Sequence, residues 1–225
     1  MLLSIVIPTL NEEEGISSTI TGIPFSTLSR MGHDVELLVV DGNSHDKTRE
    51  IAAKLGAKVI LEARRGYGRA YKTGFEQCSG QIIITLDADG TYPAEKIPEY
   101  VSHFQSTGLN FLTINRFGRL EDGAMSFSHK IGNKILSATL RLLFGLKIKD
   151  SQSGMWILRK DMILSNMPQS DGMGFSEEIK IIAFKDGNAA EIDGEYRRRL
   201  GEVKLQTVED GVNNLRYLLK LRTTF

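Results

Sequence analysis

Cysteine is almost missing from this chain. Cys78 stands alone among 225 residues, which excludes an internal disulfide and the disulfide-stapled secreted folds. With no basic neighbour to depress its pKa, Cys78 is expected to be an inert buried thiol. An excess of charge is missing too, because 28 Lys and Arg balance 28 Asp and Glu. Proteins that coat nucleic acid carry a basic surplus, so no nucleic-acid partner is expected and any basic function must be local. No apolar run approaches the roughly 18 residues of a membrane span. Met1–Pro8 resembles a signal peptide only superficially: it has no basic leader, and Asn11-Glu-Glu-Glu14 follows at once. The chain is therefore expected in the cytosol or, at most, lying against a membrane. Repeats, low-complexity tracts and linkers are also absent. Residues 1–225 read as one domain of ordinary globular composition, 41% hydrophobic.

What is present is an alternation of short apolar runs with helix-like segments. Strands are expected at Leu2–Ile7, Val35–Val40, Ala57–Leu61, Gln81–Leu86 and Asn110–Ile114. Between them, helices are expected after Asn11 (a cap, with Glu12–Glu14 in the first turn), after Asp46, from the Arg64–Arg69 loop to about Gln77, and over Pro93–Gln105. Strands separated by helices make an α/β fold with a central, mostly parallel sheet covered on both faces. Ligands then bind beyond the carboxyl ends of the strands, where Thr9, Asn11, Asp41, Asp87, Asp89, Asn115 and Arg116 gather. In the second half, Phe117–Phe127 reads as a polar loop and His129–Gly145 as an amphipathic helix. Its stripe Ile131, Ile135, Ala138 and Leu142 runs beside the basic stripe Lys130, Lys134 and Arg141. A strand Met155–Leu158, a helix Phe175–Phe184, a strand Ala190–Tyr196 and an amphipathic helix Val208–Leu221 complete the reading.

Asp87-Ala-Asp89 is the strongest constellation. Two carboxylates directly after a buried strand form a hard-oxygen site suited to Mg²⁺ or Mn²⁺ with substrate phosphates. The same pair is also compatible with solvated turn residues. Asp41, before the tight turn Gly42-Asn-Ser44, either contacts a base or ribose or stabilises the turn through Asx hydrogen bonds; His45 reads as a solvated loop residue. Gly66-Tyr-Gly68 lacks the third glycine of a dinucleotide fingerprint. Guanidinium groups suit phosphate oxygens, and from Arg116 to Lys149 seven Lys and Arg face only Glu121 and Asp122. His129 is a candidate phosphate contact or a cap, Trp156 reads as core, and Glu177-Glu178 are dipole-favoured helix residues or a general base.

Ile5-Val-Ile-Pro-Thr-Leu-Asn-Glu12, Val39-Val-Asp-Gly-Asn-Ser44, Leu86-Asp-Ala-Asp-Gly-Thr91 and Tyr196-Arg-Arg-Arg-Leu-Gly-Glu-Val-Lys-Leu205 together resemble the inverting family 2 glycosyltransferases of GT-A fold. Within that family the pattern is similar to the polyprenyl-phosphate sugar synthases. Gly123-Ala-Met-Ser-Phe-Ser-His-Lys-Ile-Gly-Asn133 and Asp150-Ser-Gln-Ser-Gly-Met-Trp156 resemble its archaeal branch. The resemblance implies a hexosyltransferase with a nucleotide-binding half, 1–116, and an acceptor-binding half, 117–225. It implies a nucleotide-sugar donor, UDP-N-acetylglucosamine or UDP-glucose ahead of GDP-mannose, and a polyprenyl or dolichyl monophosphate acceptor. Pro8, Leu10, Glu12 and Asp41 would then meet base and ribose, with Ala88 and Thr91 lining the donor site. Asp87 and Asp89 would hold Mg²⁺ or Mn²⁺, Asp89 and Arg116 would act on the reacting groups, and Arg199 and Lys204 would close over the donor. Peripheral contact with the cytoplasmic face of the membrane, and a membrane-protein partner, are further implications. Mannose synthases often carry Gln where Thr91 stands, and many members have C-terminal transmembrane helices that these residues do not contain. Two other readings stay open: a family 2 enzyme acting on a sugar hydroxyl, with Glu177 or Glu178 as base, and a non-catalytic nucleotide-sugar-binding subunit.

Overall fold

The structure, a computed structural model, describes residues 1–202 and 207–223, and the side chains of all of these except 207–210. Its centre is a seven-stranded sheet. β1 (Leu2–Thr9), β2 (Asp34–Asp41), β3 (Lys58–Leu61) and β4 (Ile82–Thr85) pair in parallel around β1. β6 (Trp156–Arg159) then runs antiparallel between β4 and β5 (Phe111–Leu120), and β7 (Ala189–Tyr196) pairs in parallel with β5, giving the order β3-β2-β1-β4-β6-β5-β7. The alternation of the pleat splits the core: Leu3, Ile5 and Ile7 join one apolar cluster, while Val6 joins the other with Tyr71, Phe75, Trp156 and Phe175.

Around the sheet lie α1 (Ile16–Thr21), α2 (Phe25–Arg30), α3 (Thr48–Lys54), α4 (Tyr67–Gln77), a 3₁₀ turn (Ala94–Lys96), α5 (Ile97–Thr107), α6 (Phe127–Phe144), α7 (Lys160–Ser165), α8 (Phe175–Lys185) and α9 (Thr207–Leu221). The helix expected to follow Asn11 begins only at Ile16. Residues 11–13 give their amide hydrogens to Ser44 Oγ, Thr48 Oγ1 and Asp46 Oδ2 instead of to a helix, and Asn11 stands at φ 52°. α2 and α7 are six residues each, too short for their periodicity to show in sequence. The polar loop expected from Phe117 is a strand as far as Leu120. Its pairing with β7 slips between Asn115 and Arg119, so Arg119 and Leu120 resume register with Glu195 and Tyr196.

Packing fixes which face of α6 points inward. Its core side is Leu136, Ser137 and Leu140, packed with Ile148, Ile181, Leu218 and Leu221. The apolar stripe expected beside the basic one is the solvent side: Ile131 is 43% exposed, Ile135 53% and Leu142 85%, with Phe127 at 79%. Cys78 and Trp156 are buried as expected.

Candidate active site

The carboxyl ends of β1, β2 and β4 open onto a cavity of about 610 Å³, the size of a nucleotide-binding site. Pro8 to Glu12 line it from the end of β1, and Gly42, Asn43 and His45 from the β2–α3 turn. Ala63, Arg65, Gly66, Tyr67 and Ala70 come from the β3–α4 segment, Asp87-Ala-Asp89 from the end of β4, Arg116 from β5, and Gln152, Met173, Tyr196 and Arg199 from the second half. The β3–α4 loop is clamped in place. A Cβ on Gly66 (φ 137°) would meet Asp171 O at 2.1 Å, and one on Gly68 would meet Ser170 O at 2.5 Å.

Within the cavity the two aspartates differ. Asp89 is held by its surroundings: Thr91 donates from N and Oγ1 to Oδ1 at 3.1 and 2.6 Å, and Arg199 donates to Oδ2 at 2.7 Å. Arg199 also bonds Glu12. Among the described residues Asp87 receives no side-chain hydrogen bond of this kind. Burial, together with the neighbouring Asp89 charge, pushes its carboxyl up to about 7 against the pull of Arg116 and Arg199. An acid so short of cations, beside a second carboxylate, fits a divalent ion with an oxygen preference. Among the described residues no third His, Cys, Asp or Glu completes a group of three, so further ligands would come from substrate oxygens and water.

Arg116 is aimed rather than free. Its Nε and Nη2 donate to the two oxygens of Asp150 at 2.7 and 2.8 Å, and its guanidinium lies 5.3 Å from the centre of the Tyr196 ring. Burial opposes the charge on Asp150, but the Arg116 guanidinium still holds that carboxyl below its ordinary range. The turn bearing Asp150 is itself fixed from beneath. Lys180 Nζ donates to the carbonyls of Asp150, Ser151 and Ser153, each at 2.9 Å, and burial lowers this ammonium to about 8.

Of the residues singled out in sequence, Pro8, Leu10, Glu12, Asp87, Ala88, Asp89, Arg116 and Arg199 line the cavity. Asp41 does not. Its fully buried carboxylate accepts from Thr9 Oγ1, Ser44 N and Ser44 Oγ, so it builds the turn and leaves Asn43 and His45 to face the cavity. Thr91 lies behind Asp89, 1% exposed, and orients that carboxylate instead of lining the donor space. His129 sits in the first turn of α6, bonded to Ser126, away from the cavity. Lys204 lies outside the described residues.

Glu177 and Glu178 are buried behind the cavity. Glu177 accepts from Gln152 Nε2 at 2.7 Å, while Glu178 ties down Gln169 N, Ser170 N and Tyr217 Oη. His45, Arg65, Tyr67, Gln152, Met173 and Tyr196 were not read as site residues. The quoted Asp150–Trp156 motif and the basic glycine loop were the available signals for Gln152, Arg65 and Tyr67.

A mostly parallel sheet with a carboxylate pair at the switch edge and cationic walls defines a GT-A type fold. In agreement, the chain resembles glucosyl-3-phosphoglycerate synthase from Mycobacterium tuberculosis, solved with Mn²⁺, UDP and glucosyl-3-phosphoglycerate. The TM-score is 0.76 at 24% identity, covering 98% of this chain and 79% of that one. Residues 4–164 match the model of glycosyl transferase family 2, and the chain belongs to that family. Among curated relatives, the low-salt glycan biosynthesis hexosyltransferase Agl6 of Haloferax volcanii is 36% identical over 220 residues, 96% of this chain and 53% of that protein. The dolichyl-phosphate hexose transferase of the same organism is 31% identical over 210 residues, 93% of this chain and 89% of its length. The chain thus spans about half of the first relative and most of the second.

Proposed function

We propose that this chain transfers a hexose from a nucleoside-diphosphate sugar to a polyprenyl or dolichyl monophosphate, with inversion at the anomeric carbon. The observation that carries the reading is the pairing, in one cavity, of an ion-accepting Asp87–Asp89 edge with an arginine, Arg116, held rigidly by Asp150. A lipid monophosphate is already anionic, so its oxygen needs alignment and charge stabilisation more than a general base. The burial of Glu177 and Glu178 behind the cavity fits that requirement.

Asp87 and Asp89 would hold a divalent ion, which when bound neutralises charge on the departing diphosphate. Thr91 keeps Asp89 pointed at the site, and Arg116 offers a fixed guanidinium to phosphate oxygens. Pro8 to Glu12, with Gly42, Asn43 and His45, give the nucleoside an apolar and polar wall. The relative named as a dolichyl-phosphate hexose transferase supports the acceptor class. UDP sugars are favoured as donors. A panel of UDP-N-acetylglucosamine, UDP-glucose and GDP-mannose, assayed with polyprenyl monophosphate, Mg²⁺ or Mn²⁺ and a chelator control, tests both. A UDP sugar used only with metal supports the reading, whereas turnover of none of the three overturns it.

The exposed apolar row of α6 (Phe127, Ile131, Ile135, Leu142) runs beside Lys134 and Arg141, and α9 adds exposed Leu219, Arg216 and Lys220. This surface suits peripheral contact with an anionic membrane that carries the lipid acceptor. No helix among the described residues is long and apolar enough to cross a membrane.

A further inference from the structure

Arg199 stands where a cation is needed and none of the metal's own chemistry is required to put it there. Its Nη1 donates to Asp89 Oδ2 at 2.7 Å and its Nη2 bonds Glu12 Oε1, so one guanidinium joins the end of β1 to the end of β4. Thr91 already takes the other oxygen of Asp89, so this carboxylate meets three donors, all from the chain itself. The Nε of Arg199 is buried and has no acceptor among the described residues. Its two terminal nitrogens are thus spent on the site's carboxylates while a third donor goes unused.

The segment that delivers Arg199 has no helix or strand of its own. It is pinned over the Asp89–Thr91 turn by Arg197 N to Thr91 O (2.8 Å) and Leu200 N to Asp89 O (2.9 Å). Leu200 rests above Gly90, where an added Cβ would come within 3.1 Å of its Cδ1. The main chain can therefore stay docked while the long side chain changes partner.

We propose that Arg199 is a resident counter-ion of the metal site, one that excludes a free divalent ion until a nucleotide diphosphate arrives to receive the guanidinium. This rests on the reading of Asp87 and Asp89 as the ion-holding pair. A dication and a guanidinium repel strongly at one carboxylate oxygen, so the ion gains Asp89 only as Arg199 releases it. Diphosphate oxygens are a matched acceptor for the fork of an arginine. Ion and nucleotide consequently load together, and each raises the affinity of the other by the same factor.

The test is Mn²⁺ binding to the whole chain, read from the EPR signal of the free ion, without and with UDP. In the wild type, UDP tightens Mn²⁺ binding by about tenfold or more. R199M, which removes the cation but keeps the stem, binds Mn²⁺ alone about tenfold tighter than the wild type, and UDP tightens it by a smaller factor than in the wild type. R199K, which retains a charge, stays close to the wild type; thermal melts confirm that each variant is folded. R199M binding Mn²⁺ alone no tighter than the wild type would overturn the counter-ion role while leaving the metal site intact. Failure of the wild type to bind Mn²⁺ even with UDP would remove the metal site itself, and this inference with it.

Discussion

Replacing Glu177 by Gln separates a buried structural acid from a catalytic base. Glu177 lies in the first turn of α8, fully buried. It accepts from Gln152 at 2.7 Å through Oε1, while Oε2 has no hydrogen-bond partner among the described residues. Burial raises its carboxyl to about 8, despite the Gln152 hydrogen bond and the Lys180 charge, from an ordinary 4.5. With the folded value above the unfolded one, the stabilisation is complete below about pH 4.5 and is lost as the pH climbs to about 8. At roughly 1.4 kcal/mol per unit, the whole window is worth on the order of 5 kcal/mol. Lys180 is shifted the other way, from 10.5 down to about 8, so its own titration acts above this window.

A glutamine is neutral throughout and offers Gln152 the same acceptor. E177Q should therefore match the wild type within about 1 kcal/mol at pH 5 and exceed it by several kcal/mol at pH 8. That corresponds to a melting temperature roughly 10 °C higher for a chain of this size. Urea unfolding of both proteins at pH 5, 6.5 and 8 measures the difference, and turnover should stay within about twofold of the wild type. Loss of a general base costs about 10²–10⁴-fold in rate. A stability difference that does not change with pH, or a turnover loss of that size, would refute the assignment of Glu177 to the buried frame.

T91V removes the Oγ1 donor to Asp89 at 2.6 Å and should weaken Mn²⁺ binding by about 10- to 100-fold. Activity should recover at high Mn²⁺ in a titration of rate against the ion. I135E combined with L142E changes only exposed positions of α6, so the melting transition should move by less than about 0.5 kcal/mol per site. Flotation with anionic vesicles should be lost. G66A forces a Cβ to 2.1 Å from Asp171 O at φ 137° and should cost about 2–4 kcal/mol in urea unfolding.

The strands of the first half were legible because each is a short β-branched or apolar run followed by a polar residue. The same rule marked Asp87, Asp89 and Arg116 at the cavity edge. Asp41 obeyed the rule and still turned away, because Ser44 and Thr9 lie close enough to take both of its oxygens. Periodicity found the apolar stripe of α6 but not its direction. The helix carries two apolar faces, and only packing against α8 and α9 decides that Leu136 and Leu140 face inward. Gln152, Met173 and Tyr196 reach the cavity from segments far apart in sequence. That convergence depends on β6 running antiparallel between β4 and β5, which no local pattern encodes. The family resemblance implies a donor contact for Thr91, but its hydroxyl is spent within the turn on Asp89.

The most direct measurement compares two acceptors that differ only in the phosphate: a polyprenyl monophosphate and the corresponding polyprenol, each with the preferred nucleotide sugar and Mn²⁺. Mass spectrometry of the lipid extract should find the glycosylated lipid phosphate with the wild type, none with D87N, and no glycosylated polyprenol with either. Sugar on the alcohol, or on an added sugar hydroxyl, with the lipid phosphate untouched would contradict the account.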